Sequence, residues 1–314
     1  MISTKKTLIA LGLAASFAVS GVANAGTLAS STFSITNFLL SNSATGTTLS
    51  TSDFFALVAT NNAGVTASLT GSPTVGSNFN LAITDPATDL TRACTGPGCA
   101  TAPAENNFMV LTPPPAGANF ANADQLLVGT AIRLGAAPTA GANAQVRSDV
   151  SLTGTGTGSA ASNVGLNASF IFSLTQNINI GVNFNGAISL LAFADVGTTF
   201  PGNAQASTSL SVVLSNADTG ATVFDFNNAA GLSDPTCTLN RTLNRNAPIN
   251  GTSAFSCSST FAATTGVLTA GTTYNLSIRQ NSNTNSLFVP EPASLALLGI
   301  GLLGLGFSSR RKAA

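Results

Sequence analysis

Histidine and tryptophan are absent from these 314 residues, and tyrosine occurs once, at Tyr274. Without histidine, neither a Ser-His-Asp triad nor a Cys-His pair can be assembled. The three lysines, Lys5, Lys6 and Lys312, lie at the two ends of the chain. The long interval between them therefore has no amine for a Ser-Lys dyad or a Schiff base. Charge is scarce as well: 7% of residues are charged, against roughly 25% in ordinary globular domains. Between residues 26 and 289, six arginines face nine aspartates and Glu105, a net charge of −4. No basic patch exists for nucleic acid or an anionic membrane surface. Hydroxyls and amides must take over as the solubilising layer. The chain is not expected to be an enzyme or to need a cofactor.

Two further chemistries are weak on the same grounds. GTGTGS, within 154–159, resembles a phosphate loop in composition only, because a P-loop needs a lysine and a strand–helix setting. A carboxylate-based glycan hydrolase needs two acids at a defined separation. Asp85, Asp89, Asp218 and Asp234 sit beside Pro or Thr, where turn formation explains them.

The N-terminal stretch MISTKKTLIALGLAASFAVSGVANA is informative. Two lysines precede an apolar run from about Leu8 to Val19, and Ala23-Asn24-Ala25 supplies the small residues of an A-x-A cleavage site. This is the pattern of a secretory signal peptide over 1–25, with the mature chain beginning at Gly26; a retained N-terminal anchor is the alternative. Export fits the four cysteines. Cys94 and Cys99 flank CTGPGC, and Cys237 and Cys257 bracket a longer loop. Of the three possible pairings, nearest neighbours in sequence is the simplest. A zinc site is the competing reading, with no histidine and no C-x2-C spacing to support it.

The interval 26–288 reads as all-β. In QNINIGVNFNG, Ile178, Ile180, Val182 and Phe184 alternate with Asn177, Asn179, Gly181 and Asn183, which puts the apolar groups on one sheet face. Asn185-Gly186 follows as a candidate type I′ hairpin turn. The same parity runs through Phe170–Leu174, Leu210–Leu214, Tyr274–Ile278, Val65–Leu69 and Phe79–Ile83, with SNADTG and GSPTVGSN as turns. APAENNFMVLTPPPAGANFANAD reads as a loop region. The Gly/Thr/Ser strip around 152–163 reads as a domain linker or as a flexible edge strand and loop. The expectation is a single antiparallel β-sandwich of jelly-roll or immunoglobulin-like type, with two smaller sandwiches divided near 152–163 as the alternative.

Binding signals are sparse. Asp225, Asn227, Asn228 and Asp234 in FDFNNAAGLSD, and Asp85 with Asp89 in DPATD, offer hard oxygen ligands for calcium. Neither stretch matches an EF-hand or a nonapeptide repeat, so turn residues are the plainer reading. A carbohydrate-binding module is a further alternative, although Tyr274 shares parity with the core-facing Leu276 and Ile278. Asn167, Asn240, Asn250 and Asn275 begin N-x-[ST] triplets, which composition alone produces in a chain this rich in Asn, Thr and Ser.

The last stretch is VPEPASLALLGIGLLGLGFSSRRKAA, assigned as a unit over 289–314. After Val289-Pro290-Glu291-Pro292, an apolar segment within 293–309 ends in Arg310, Arg311 and Lys312. Its fifteen apolar residues, Ala293 to Phe307, span about 22 Å as a helix, short of the roughly 30 Å hydrocarbon core. Gly299, Gly301, Gly304 and Gly306 thin it further. The basic end is a membrane stop signal that stays cytoplasmic and leaves the body outside. These three ordered parts resemble the PEP-CTERM sorting signal of Gram-negative bacteria. The resemblance implies a precursor held transiently in the inner membrane, with signal peptidase and an exosortase as export partners. It further implies processing at Pro290–Pro292 and delivery to the cell surface or extracellular matrix. The resemblance implies little about the body itself; the expectation for it is a structural or adhesive role in biofilm or exopolysaccharide assembly, with exopolysaccharide or matrix proteins as partners.

Overall fold

A computed structural model describes residues 26–82, 87–113, 119–134, 141–195, 202–226, 237–246 and 251–288. The strands are β1 (Gly26–Asn42), β2 (Phe54–Leu69), β3 (Val75–Ala82), β4 (Ala87–Thr95), β5 (Phe120–Val128), β6 (Ala142–Leu152) and β7 (Gly156–Leu174), followed by β8 (Ile178–Asp195), β9 (Gly202–Asn216), β10 (Thr222–Asp225), β11 (Arg241–Asn246), β12 (Gly251–Leu268) and β13 (Thr273–Phe288). No helix among the described residues is long and apolar enough to cross a membrane. The segments read as a signal peptide and as a membrane-spanning tail lie outside the described residues.

The strands form two antiparallel sheets. One runs β12-β8-β1-β6-β5-β4; the other runs β10-β9-β13-β7-β2-β3, with β11 also pairing with β9. They lie face to face in matching order, β8 over β9, β1 over β13, β6 over β7 and β4 over β3. The expected antiparallel sandwich is therefore the architecture, with more strands than the seven to nine of an immunoglobulin domain or the eight of a jelly roll.

Alternation in the sequence becomes sidedness in the sheets. In β9, Ala204, Ala206, Leu210, Val212 and Leu214 are buried while the residues between them are half-buried. The interior is not uniform. At one end Phe184 is ringed by Phe38, Phe226 and Phe261, with centroids 5.6, 5.2 and 5.3 Å away. Nearby, Phe172 packs between Phe54 and Tyr274. Midway along, small polar residues bring the sheets together. Ser282 of β13 donates to the Ser31 carbonyl at 3.0 Å, its hydroxyl lies 2.9 Å from that of Ser148, and Ser162 of β7 donates to the Asp124 carbonyl at 2.6 Å. Gln280 reaches across to the carbonyls of Phe33 and Ala144. Buried hydroxyls and amides placed this way are satisfied by backbone acceptors of the opposite sheet.

Three local expectations change. The strip around 152–163 is neither linker nor edge. From Gly156 it is the first part of β7, held between β13 and β2, and both sheets mix strands from before and after it. Asn185-Gly186 is not a hairpin turn: β8 continues through it to Asp195, paired with β1 on one side and β12 on the other. Glycine leaves room there for close packing: a Cβ at Gly186 would come within 3.0–3.2 Å of the Phe261 and Leu239 side chains, which would have to shift by a few tenths of an ångström. The last five residues of the supposed loop APAENNFMVLTPPPAGANFANAD, FANAD, are the start of strand β5. The turns SNADTG and GSPTVGSN do join β9 to β10 and β2 to β3. Both disulfides pair nearest neighbours, Cys94–Cys99 and Cys237–Cys257, which removes the zinc reading.

Truncating Phe184 to alanine empties the centre of the aromatic cluster. It should cost about 3–5 kcal/mol, read as a lower urea midpoint with an unchanged slope.

Candidate functional site

The outward face of the six-stranded sheet carries a buried polar cluster that the sequence reading missed. Register places Ser30 of β1, Asp149 of β6 and Asn122 of β5 in one row, with Thr32, Arg147 and Asp124 in the next. All six are buried. They are covered by a strap, residues 96–113, that leaves β4 and crosses β5, β6 and β1 to reach β8. Val110 and Leu111 end the crossing by packing on Leu28, Leu191 and Phe193.

Specific bonds fix the strap. The Cys94–Cys99 disulfide closes its base. Gly96 has φ +108°, and a Cβ there would lie 2.5 Å from the Asn119 carbonyl oxygen and from Leu69; only glycine fits that approach. Arg92 donates to the Pro103 carbonyl, and Arg147 donates to that of Asn107. The Leu111 amide donates to the Ser30 hydroxyl at 3.1 Å. Arg147 also holds Asp149 with two of its nitrogens. Asp149 accepts further bonds from Ser30 at 2.6 Å and Asn122 at 3.1 Å. Opposite charges with their remaining hydrogen-bond sites filled are the form in which buried ions persist.

Asp124 is different, having no direct ion-pair partner among the described residues. Its carboxylate accepts from the backbone amides of Asn106 at 2.6 Å and Gln125 at 2.9 Å. Burial raises its pKa from 3.8 to about 6 against those two bonds, and the nearby charges of Asp89 and Glu105 push the same way. Asp89 is tied to the strap too, accepting from the Asn106 side chain at 2.8 Å. This cluster is enclosed, and its bonding is directed at holding the strap rather than at an open cleft.

The accessible surface lies on the other sheet. Its central strands β2, β7, β13 and β9 carry a single charged residue, Arg279. Their outward rows hold many amides and hydroxyls, such as Thr66, Asn283 and Ser207, with Ala161, in one row and Ser68, Ser159, Asn285 and Gln205 in the next, interspersed with the exposed apolar side chains of Phe55, Val58, Ile171 and Leu287. Side chains interlock along them, Asn281 with Ser209 at 3.1 Å and Asn285 with Gln205 at 3.4 Å. A groove of about 250 Å³ opens on this face, lined by Ser68, Thr157, Ser159, Asn203, Asn285 and Leu287 among others.

The residues singled out from the sequence fall as follows. Tyr274 is buried, its hydroxyl accepting from the Thr269 amide at 2.9 Å, so it is no sugar platform. Asp225 ends β10, while Asn227, Asn228, Asp234 and Asp85 lie outside the described residues. No group of three potential metal-binding side chains occurs among the described residues. Ala23, Ala25, Val289, Pro290, Glu291, Pro292, Arg310, Arg311 and Lys312 also lie outside them, whereas Gly26 opens β1.

Asp124 sets a pH dependence. The folded carboxyl keeps its proton to a higher pH than the unfolded one, so its contribution to stability is complete below about pH 4 and lost as pH rises through about 6. The loss is on the order of 2 kcal/mol. Relative to wild type, Asp124→Asn should therefore gain stability between pH 4.5 and 7, measured as the difference in urea midpoints. A constant difference would contradict it.

The motif at the end of the chain connects directly to this fold. β13, central in its sheet, is paired up to Phe288 with both Gly156 and Gly202. One residue, Val289, separates that last pair from Pro290, so the Pro-Glu-Pro step begins within about 7 Å of the sheet. No curated protein and no solved structure matches the chain. The PEP-CTERM protein-sorting motif matches residues 288–312, beginning at the final residue of β13. The chain thus carries a PEP-CTERM sorting motif, the mark of an exported protein targeted to an exosortase through a membrane-anchored precursor.

Proposed function

We propose that the released β-sandwich is a structural and adhesive component of an exopolysaccharide-rich matrix or biofilm on a Gram-negative cell. The observation that carries this reading is the outward face of the seven-stranded sheet, where four adjacent strands present amides and hydroxyls, with exposed apolar side chains at Phe55, Val58, Ile171 and Leu287 among them and Arg279 as their one charge. A neutral face of donors and acceptors meets glycan hydroxyls without the desolvation cost of buried charge, and it does not repel acidic polysaccharides. The strap and the two disulfides suit a body that works outside the cell, where stability must come from the chain itself. No catalytic residue is assigned.

Sorting precedes that role. In this reading signal peptidase frees Gly26, the apolar tail holds the precursor in the inner membrane, and the exosortase acts at Pro290–Pro292. Two prolines restrict the backbone around Glu291 and remove two N–H donors, which presents the acid on an extended, stiff segment. Glu291→Ala should leave full-length chain in the membrane fraction, as should deletion of the exosortase in the wild-type background. Normal release of the variant, with a C-terminus identical to wild type by mass spectrometry, would refute the assignment.

The groove supports a second reading, a carbohydrate-binding module with a discrete site. Titrating the released protein with host polysaccharide in a calorimeter separates the two. A discrete site should give saturable heat that Asn285→Ala and Asn203→Ala abolish; a broad adhesive face should give weak binding that neither substitution changes by more than about twofold.

A further inference from the structure

β12 has a free edge of unusual character. β8 pairs with one side of it from Gly251 to Leu268, and no described strand pairs with the other. Eighteen residues at about 3.3 Å each make an open edge of roughly 60 Å. Edge strands are normally blunted by charge or proline. β4, the opposite edge of the same sheet, has Asp89 and Arg92, whereas GTSAFSCSSTFAATTGVL contains neither a charged residue nor a proline. Its pairing with β8 is regular from Gly251 to Thr264 and shifts only beyond that.

The sequence of that regular stretch is self-complementary. A two-fold axis perpendicular to the sheet keeps each face on its own side, so opposed residues must share parity. With the axis at Ser258, the exposed face pairs Thr252 with Thr264, Ala254 with Ala262, Ser256 with Thr260, and Ser258 with its own copy. All seven of these residues are exposed. On the other face, Phe255 meets Phe261, Ser253 meets Ala263 and Cys257 meets Ser259. Size is matched at every position on the exposed face, with hydroxyl against hydroxyl among the pairs, a combination that stabilises cross-strand neighbours; on the other face Cys257 is already bonded to Cys237 and Arg241 lies over the Phe255 ring, so the match there is looser. No like charges are opposed, because the strand has none.

We propose that β12 is a self-pairing edge, through which two copies of this chain join antiparallel about Ser258 to make one sheet continuous across the dimer. The partner is a second copy because the pattern mirrors itself. The inference goes beyond the matrix reading and is independent of it: loss of glycan binding leaves it standing, and loss of the dimer leaves glycan binding standing.

Mixing full-length Ala254→Cys with full-length Ala262→Cys under mild oxidation should give a disulfide-linked heterodimer on a non-reducing gel. Ala254→Cys alone should not cross-link, since the two copies of residue 254 are offset by eight residues, about 27 Å. In sedimentation, Ser258→Lys and Ser258→Glu should each weaken self-association by about tenfold or more, and mixing them should restore it. Ser258 is exposed, so neither change threatens the fold. A monomeric wild type, open-ended assemblies in place of a dimer, equal cross-linking by Ala254→Cys alone, or no recovery on mixing the charged variants would each overturn the proposal.

Discussion

Arg147 is fully buried, and a buried guanidinium has to be both paired and hydrogen-bonded. Asp149, two residues on along β6, supplies the charge, and the Asn107 carbonyl supplies a further acceptor. That carbonyl belongs to the strap, so the strap's course over β5, β6 and β1 follows from where Arg147 stands. The same crossing brings the Asn106 amide to Asp124 and the Leu111 amide to Ser30. One ion pair thereby organises a segment with little secondary structure of its own, and the segment in turn seals β1, β5 and β6 from solvent on their outer face.

That double covering explains where strands were hard to recognise. Alternation of apolar and polar residues marks a strand with one wet face, and β8, β9 and β13 were readable for this reason. β5 reads Phe120-Ala-Asn-Ala-Asp-Gln and is buried at every one of those positions. Its period of two survives only weakly, with Ala121, Ala123 and Gln125 facing the other sheet and Phe120, Asn122 and Asp124 facing the strap. β1 is buried without a break from Gly26 to Phe33. Asp124 and Asp149 carried no signal in the sequence, yet both lie in mid-strand and work within the cluster.

Scarcity of charge has its own consequences. A sandwich without surface lysines keeps its solubility through amide and hydroxyl rows on the seven-stranded sheet, and it seams its two sheets through serines whose hydroxyls find backbone acceptors. The same economy leaves β12 without the charges that usually guard an edge. The sorting motif starts where β13 ends, at a strand in the middle of a sheet.

The amino-acid sequence by itself determined the class of the protein. Absent histidine, and lysine confined to the two ends of the chain, exclude whole families of catalysis, period-two alternation demands sheets, nearest-neighbour cysteines form the disulfides, and the tail names its sorting route, because each of these is a local property of residue type and spacing. Only the tertiary structure decided that the Gly/Thr/Ser strip is a central strand, that Asn185-Gly186 runs straight, and that Arg147, Asp149 and Asp124 share a buried cluster. Those outcomes depend on residues far apart in the chain, whose preference for a turn or a linker is overruled when a neighbouring strand or strap supplies the missing hydrogen bonds.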